Sequence, residues 1–280
     1  MPAAAITAAL LSALIHATWN AMLKAGSDRL ADSALVSIGW IALSAALLAY
    51  YGMPPPDAWP PLLIASLIHA LYWAALTKGY ETGDLSHVYT LSRGLAPAVV
   101  AVLAFLIADE TPAPIVLGGI ALVCAGVLAV GASPNAPFKA TFWALITAAS
   151  IGGYSFFDAV GARATGSAAH YLGWSLLLSG APILIYALWR RGAAGLARAF
   201  ALDWKRGLGA GIVSGGGYGV VLYAQTLAPA AQVTALRETS VVFAALIAWV
   251  FLRERLGPRR WIGAALVAIG AGLIAFGDRL

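Results

Sequence analysis

Charge is what this sequence has least of. Only 10% of its 280 residues are Asp, Glu, Lys or Arg, against roughly a quarter in soluble domains, while 61% are hydrophobic. A soluble exterior has to face water, so a chain this apolar must face lipid instead. Cysteine is nearly absent. Cys124 stands alone within an apolar run, which excludes an intrachain disulfide. The four histidines include no H-E-x-x-H and no pair at metal spacing within one span, so no metal is expected. Ser214 follows Gly211 by three residues and lacks the G-x-S spacing of a nucleophile elbow. Intramembrane aspartyl chemistry needs two buried aspartates, whereas Asp158 is single and reads as interfacial near the end of its span. No nucleotide-binding motif and no soluble domain are visible. Neither enzymatic activity nor a cofactor is therefore expected. The formal charge of +5 does not mark a nucleic-acid binder, because the basic residues lie between apolar runs. The first 23 residues have no basic n-region and run too long for a signal-peptide core, so they read as a retained helix.

What is present is length in the apolar runs. A spanning helix needs ~20 predominantly apolar residues. Ten such runs fall near 2–24, 31–51, 60–79, 85–107, 112–131, 139–161, 168–189, 205–226, 230–252 and 258–277. Proline marks several breaks, at Pro54-Pro55-Pro56, Thr111-Pro112 and Gly257-Pro258. Only 189–206 is long enough for a surface helix between spans.

The two halves resemble each other. With an ungapped offset of 145 residues, 85–119 lies against 230–264. Leu91 then meets Leu236, Asp109 meets Glu254 and Gly118 meets Gly263. Five spans per half is an odd number, so the second copy is inverted, a recurrent transporter plan with its binding site between the halves near the midplane. The expected fold is an all-α membrane protein of ten transmembrane helices, built as two inverted five-helix repeats over 1–131 and 139–280. Loops after odd-numbered spans hold thirteen basic residues and those on the other side hold two, Arg163 and Arg279. Lys and Arg gather on the cytoplasmic side, which places both termini outside.

The segment 75–126 contains Asp84-Leu85-Ser86, Arg93-Gly94-Leu95-Ala96-Pro97, Asp109-Glu110 and Gly118-Gly119. It resembles the helix 3–5 block of the drug/metabolite transporter superfamily. Phe251-Leu252-Arg253-Glu254-Arg255-Leu256 with Ile262-Gly263-Ala264 looks like the same block repeated, the ten-helix EamA-type arrangement. Within it the likeness is to YddG-type amino-acid exporters. The resemblance implies a secondary transporter in a bacterial-type inner membrane that exports small metabolites, above all neutral or aromatic amino acids. A multidrug or organic-cation exporter of the same fold is the alternative, and a channel is the rival class. Members are often described with cytoplasmic termini, the reverse of what the loop charges here imply. The partners expected are the small-molecule substrate and the lipid bilayer, with a monomer sufficient.

Charges at membrane depth are costly and point to function. Arg93 lies in the fourth span, Arg237 and Glu238 in the ninth, and the repeat sets Arg93 opposite Glu238. Guanidinium and carboxylate near one depth suit the two ends of a zwitterion. A purely structural ion pair is the competing account. Tyr72 and Trp73 share a face with His69 and Leu76, and with Trp19, Tyr89 and Tyr218 they are candidate aromatic walls. Glu238 and His16 are the candidate proton carriers, His16 sharing a face with Ser12 and Asn20. Gly207, Gly211, Gly215 and Gly219 recur every four residues as a smooth packing stripe. Pro97 is expected to kink its helix just past Arg93.

Overall fold

The computed structural model describes residues 1–23, 29–131, 133, 135–250 and 257–277. Lys24, residues 251–256, Arg279 and the side chain of Asn20 lie outside what is described, and with them part of the loop-charge comparison and the Glu254 register. Among the described residues there are helices and no strand: α1 (Ala3–Leu23), α2 (Arg29–Tyr51), a 3₁₀ turn (Pro56–Ala58), α3 (Trp59–Thr82), α4 (Leu85–Ala108), α5 (Pro114–Gly131), α6 (Phe138–Ala164), α7 (Ala168–Leu227), α8 (Ala230–Arg237), α9 (Ser240–Val250) and α10 (Pro258–Phe276). This is the arrangement backbone polar groups demand in lipid, where each must be satisfied within its own segment.

Seven of these helices are long and apolar enough to cross a membrane, α7 being counted once. Sixty continuous helical residues would extend roughly 90 Å, three times the thickness of the apolar core, so α7 must turn back. It does so at Gly192, whose φ of 67° favours glycine, and at Asp203. Contacts with α2 give the direction of each arm. Along the first arm Gly173 faces Leu47 and Gly180 faces Ser37 and Ile41, whereas along the second Gly207 faces Leu35, Gly211 faces Val36 and Gly215 faces Leu43. One arm therefore runs antiparallel to α2 and the other parallel to it. With α1 and the joined α8–α9, the crossings come to ten. Residues 193–202, between the two breaks, are helical and mostly exposed, as a surface helix should be.

One expectation changes at the symmetry-related helices α4 and α8–α9. The proline-bearing α4 runs through Pro97 as one helix. Its proline-free counterpart is interrupted at Glu238 and Thr239, where Glu238 N–H donates to the Ala235 carbonyl and Thr239 N–H to that of Leu236, a tight 3₁₀ passage. The ninth span is thus two helices rather than a single run over 230–252.

The halves meet across α5 and α10, where glycine allows backbone to touch backbone. A Cβ on Gly126 would sit 2.7 Å from the Gly263 carbonyl oxygen, and one on Gly263 2.6 Å from that of Gly126. Gly119 and Gly270 repeat the relationship. Exchanging Gly119 with Gly263 and Gly126 with Gly270 maps these contacts onto themselves, as a two-fold interface requires. The equivalent of Gly263 is therefore Gly119 rather than Gly118. The side chains of this seam belong to the largest apolar core, with Val116, Ile120, Val123, Val127, Val267 and Ile274 buried.

Candidate functional site

A cavity of about 150 Å³ opens among α1, α2, α3, α4, α6, both arms of α7 and α8, and among the described residues no side chain from α5 or α10 lines it. An apolar space of ~150 Å³ is enough to hold benzene, so a small molecule fits this cavity. Seven residues singled out in the sequence line it together: His16, Trp19, Tyr72, Trp73, Arg93, Tyr218 and Arg237.

Arg93 and Glu238 form a two-pronged ion pair. Nε donates to Oε2 at 3.0 Å and Nη2 to Oε1 at 2.7 Å. Both are buried, Glu238 to 2% exposure, and the carboxylate sits at the α8–α9 break. Tyr89 stands beside Arg93, 5.9 Å from ring centroid to guanidinium. Glu238 and Tyr89 are not among the lining residues. Arg93 and Glu238 thus bind each other rather than opposite ends of a ligand in this conformation.

Arg237 is the contrasting guanidinium. It closes α8 and lines the cavity at 9% exposure. It lies 5.9 Å from the Tyr218 ring centroid, and its Nε makes no hydrogen bond. No carboxylate of the described residues is bonded to it. Aromatic side chains fill one wall: Tyr72 meets Trp73 edge-on at 5.4 Å and Tyr154 at 5.7 Å, and Trp19 meets His16 at 5.4 Å.

Sequence reasoning missed a second polar centre. Asp158 is fully buried rather than interfacial. Its Oδ1 accepts from Tyr171 Oη at 2.8 Å, its Oδ2 accepts from Tyr218 Oη, and His69 Nε2 lies 3.2 Å from Oδ2. His69 stacks on Tyr154 with centroids 3.9 Å apart. Serines were missed as well: Ser33, Ser37, Ser175 and Ser179 line the cavity, together with Ser12 and Ser214. Ser33/Ser37 and Ser175/Ser179 are spaced at i, i+4, and Ser12 precedes His16 by four. Such polar pairs on apolar spans were the available signal. Ser37 and Ser12 return hydrogen bonds to carbonyls of their own helices at 2.8 and 2.7 Å, which makes a hydroxyl affordable at membrane depth. Trp40 adds an indole N–H, donated to Ser214 at 2.9 Å. Among the described residues no group of His, Cys, Asp and Glu is placed to hold a metal.

A cavity between two inverted halves of a multi-pass membrane protein, with charged and hydroxyl side chains set in a mainly apolar wall, is the plan of a secondary transporter. The chain belongs to the EamA-like transporter family, whose sequence pattern matches residues 3–132 and again 138–276. One solved crystal structure superposes with a TM-score of 0.74 over 98% of this chain and 99% of that one, at 14% identity. At that identity the likeness concerns the fold alone. Among curated proteins none matches the chain.

Proposed function

We propose that this protein is a bacterial inner-membrane exporter of neutral or aromatic amino acids, working by alternating access. Arg237 carries the reading. A buried guanidinium without a carboxylate partner is costly in isolation and is stabilised when a ligand supplies the anion, ideally through both N–H groups of its fork. The carboxylate of such a ligand would pair with Arg237, and its ammonium with rings and serine hydroxyls that line the same cavity, through cation–π attraction and hydrogen bonds. The small volume favours an amino acid over a sugar nucleotide. Arg237, bonded to no carboxylate of the described residues, disfavours an organic cation by like-charge repulsion.

Proteoliposomes preloaded with unlabelled threonine, methionine or phenylalanine test this. Saturable uptake of the labelled compound, lost in Arg237→Ala, supports the proposal. Robust exchange of an organic cation with none of any amino acid would overturn it.

A further inference from the structure

We propose that Asp158 and His69 form the proton-binding site that energises transport, and that Tyr218 links this site to Arg237. The proposal takes its sign of coupling from the substrate reading above, while the existence of the site stands on its own geometry.

Four helical segments converge on one carboxylate. Asp158 comes from α6, His69 from α3, Tyr171 from the first arm of α7 and Tyr218 from the second. A fully buried carboxylate is retained at membrane depth only with such partners, and in membrane proteins it marks ion or proton pathways. Asp158 is not itself among the cavity-lining residues, but His69 and Tyr218 are. The imidazole is therefore the route by which a proton from the cavity reaches the pair. Nε2 is committed to Asp158 Oδ2, so the incoming proton binds Nδ1. The neutral imidazole and carboxylate, together carrying one negative charge, become an imidazolium–carboxylate pair with none.

Other charged and titratable groups around the pair do not neutralise it. Tyr154 on α6 and Tyr72 on α3 present rings, Tyr171 and Tyr218 donate hydroxyls, and Arg237 on α8 lies over the Tyr218 ring. Arg93 on α4 is bound to Glu238. Arg163, further along α6, is held by Glu110 and by the Gln225 and Ala228 carbonyls.

Two consequences follow from protonation. Protonation turns the His69–Asp158 tie from a neutral donor on a carboxylate into an ion pair, and charge-assisted bonds are the stronger ones, so the tie joining α3 to α6 depends on how the pair is charged. Tyr218 has its ring beneath Arg237 and its hydroxyl on Asp158, so a change at one end is felt at the other. An ammonium group resting on the Tyr72–Tyr154 wall and a proton on His69, which stacks on Tyr154, repel each other as like charges. Substrate and proton therefore exclude one another, the condition for antiport.

The test uses the full-length protein in proteoliposomes that are acid inside, with labelled threonine outside and pyranine in the lumen. Wild type should accumulate threonine while the lumen alkalinises. Asp158→Asn and His69→Gln should lose pH-driven accumulation by about tenfold more than they lose threonine counterflow. Variants that accumulate like wild type, or wild-type accumulation that follows a sodium gradient and ignores pH, would overturn the proposal. A substrate-free arm separates it from the substrate reading. Tryptophan fluorescence of the purified protein in detergent, followed across a pH series, should show a transition that both variants lack. If no amino acid exchanges, the substrate reading fails and this titration alone decides the proton site. An identical transition in all three proteins refutes that site.

Discussion

Arg93 and Glu238 are the same position of the two repeats, 145 residues apart, and they bind each other through two hydrogen bonds. Equivalent residues that touch must lie at the pseudo-two-fold axis, so this buried pair sits where the halves meet. One half supplies a cation and the other an anion at the position where exact symmetry would place like charges together.

Breaking the pair should cost more than removing it. Arg93→Ala leaves Glu238 buried without its partner, a loss of ~3–5 kcal/mol, whereas replacing both members by apolar residues of similar volume is often neutral. We expect Arg93→Ala and Glu238→Ala each to lower the unfolding temperature in detergent markedly, and Arg93→Met with Glu238→Leu to recover most of it. Equal destabilisation by the single and double variants would show that the pair is not a unit. The recovered double variant also separates roles. If it transports at the wild-type rate, neither charge touches substrate.

Arg237 should behave in the opposite way. It bonds to no carboxylate of the described residues, so Arg237→Gln should leave thermal stability close to wild type. The loss should fall on binding. A hydrogen bond to a charged group contributes roughly 1.5–3 kcal/mol, and every ~1.4 kcal/mol is tenfold in affinity, so the half-saturation concentration for counterflow should rise about ten- to hundredfold. Lysine keeps the charge but not the fork and should fall between. A variant that unfolds on heating well before wild type would place Arg237 in the scaffold instead.

The α5–α10 seam offers a stability test remote from the cavity. Gly126→Val puts a side chain where even a Cβ would be 2.7 Å from the Gly263 carbonyl oxygen, and the obstacle is backbone, which cannot rotate away. Overpacking of that kind costs ~1–3 kcal/mol. Gly118 has nothing within 4 Å of its Cβ position, so Gly118→Ala should be neutral or gain up to ~1 kcal/mol in helix propensity. Similar unfolding temperatures for the two variants would contradict the two-fold glycine contact.

The scaffold was legible because lipid imposes run length and the repeat imposes order. The inverted halves, the surface helix at 193–202 and the convergence of His16, Trp19, Tyr72, Trp73, Arg93, Tyr218 and Arg237 on one cavity could all be approached from spacing. Side-chain partnership could not. Asp158 lies close to the end of its span in sequence, and only the fold shows that α3 and both arms of α7 close over it. The helix break at Glu238 carries neither proline nor glycine, so local sequence gives no sign of it. The one-residue register change at Gly119 is likewise invisible to an ungapped alignment, because glycines are adjacent there and either matches.

Orientation is the last expectation, and the packing sharpens it. Asp32, at the start of α2, accepts from Arg206, at the start of the second arm of α7, at 2.8 Å. Gly83, after α3, packs against Ala140, at the start of α6. These connections, which follow odd-numbered crossings, therefore share one face. On the other, Arg163 at the end of α6 binds Glu110 after α4 and the Ala228 carbonyl after the second arm of α7. The first face carries Lys139, Arg190, Arg191, Arg198, Lys205 and Arg206, and beside them Trp189 and Leu202 are 77% and 82% exposed, as interfacial anchors are. The opposite face has Arg163, already bound to an acid. Basic residues accumulate on the cytoplasmic side, so the first face should be cytoplasmic and both termini should face the periplasm or exterior. A C-terminal alkaline phosphatase fusion should be active and a GFP fusion dark, while phosphatase inserted at Gly195, in the surface helix, should be inactive. The reverse pattern in well-expressed fusions would show that this chain inserts against its own charge asymmetry.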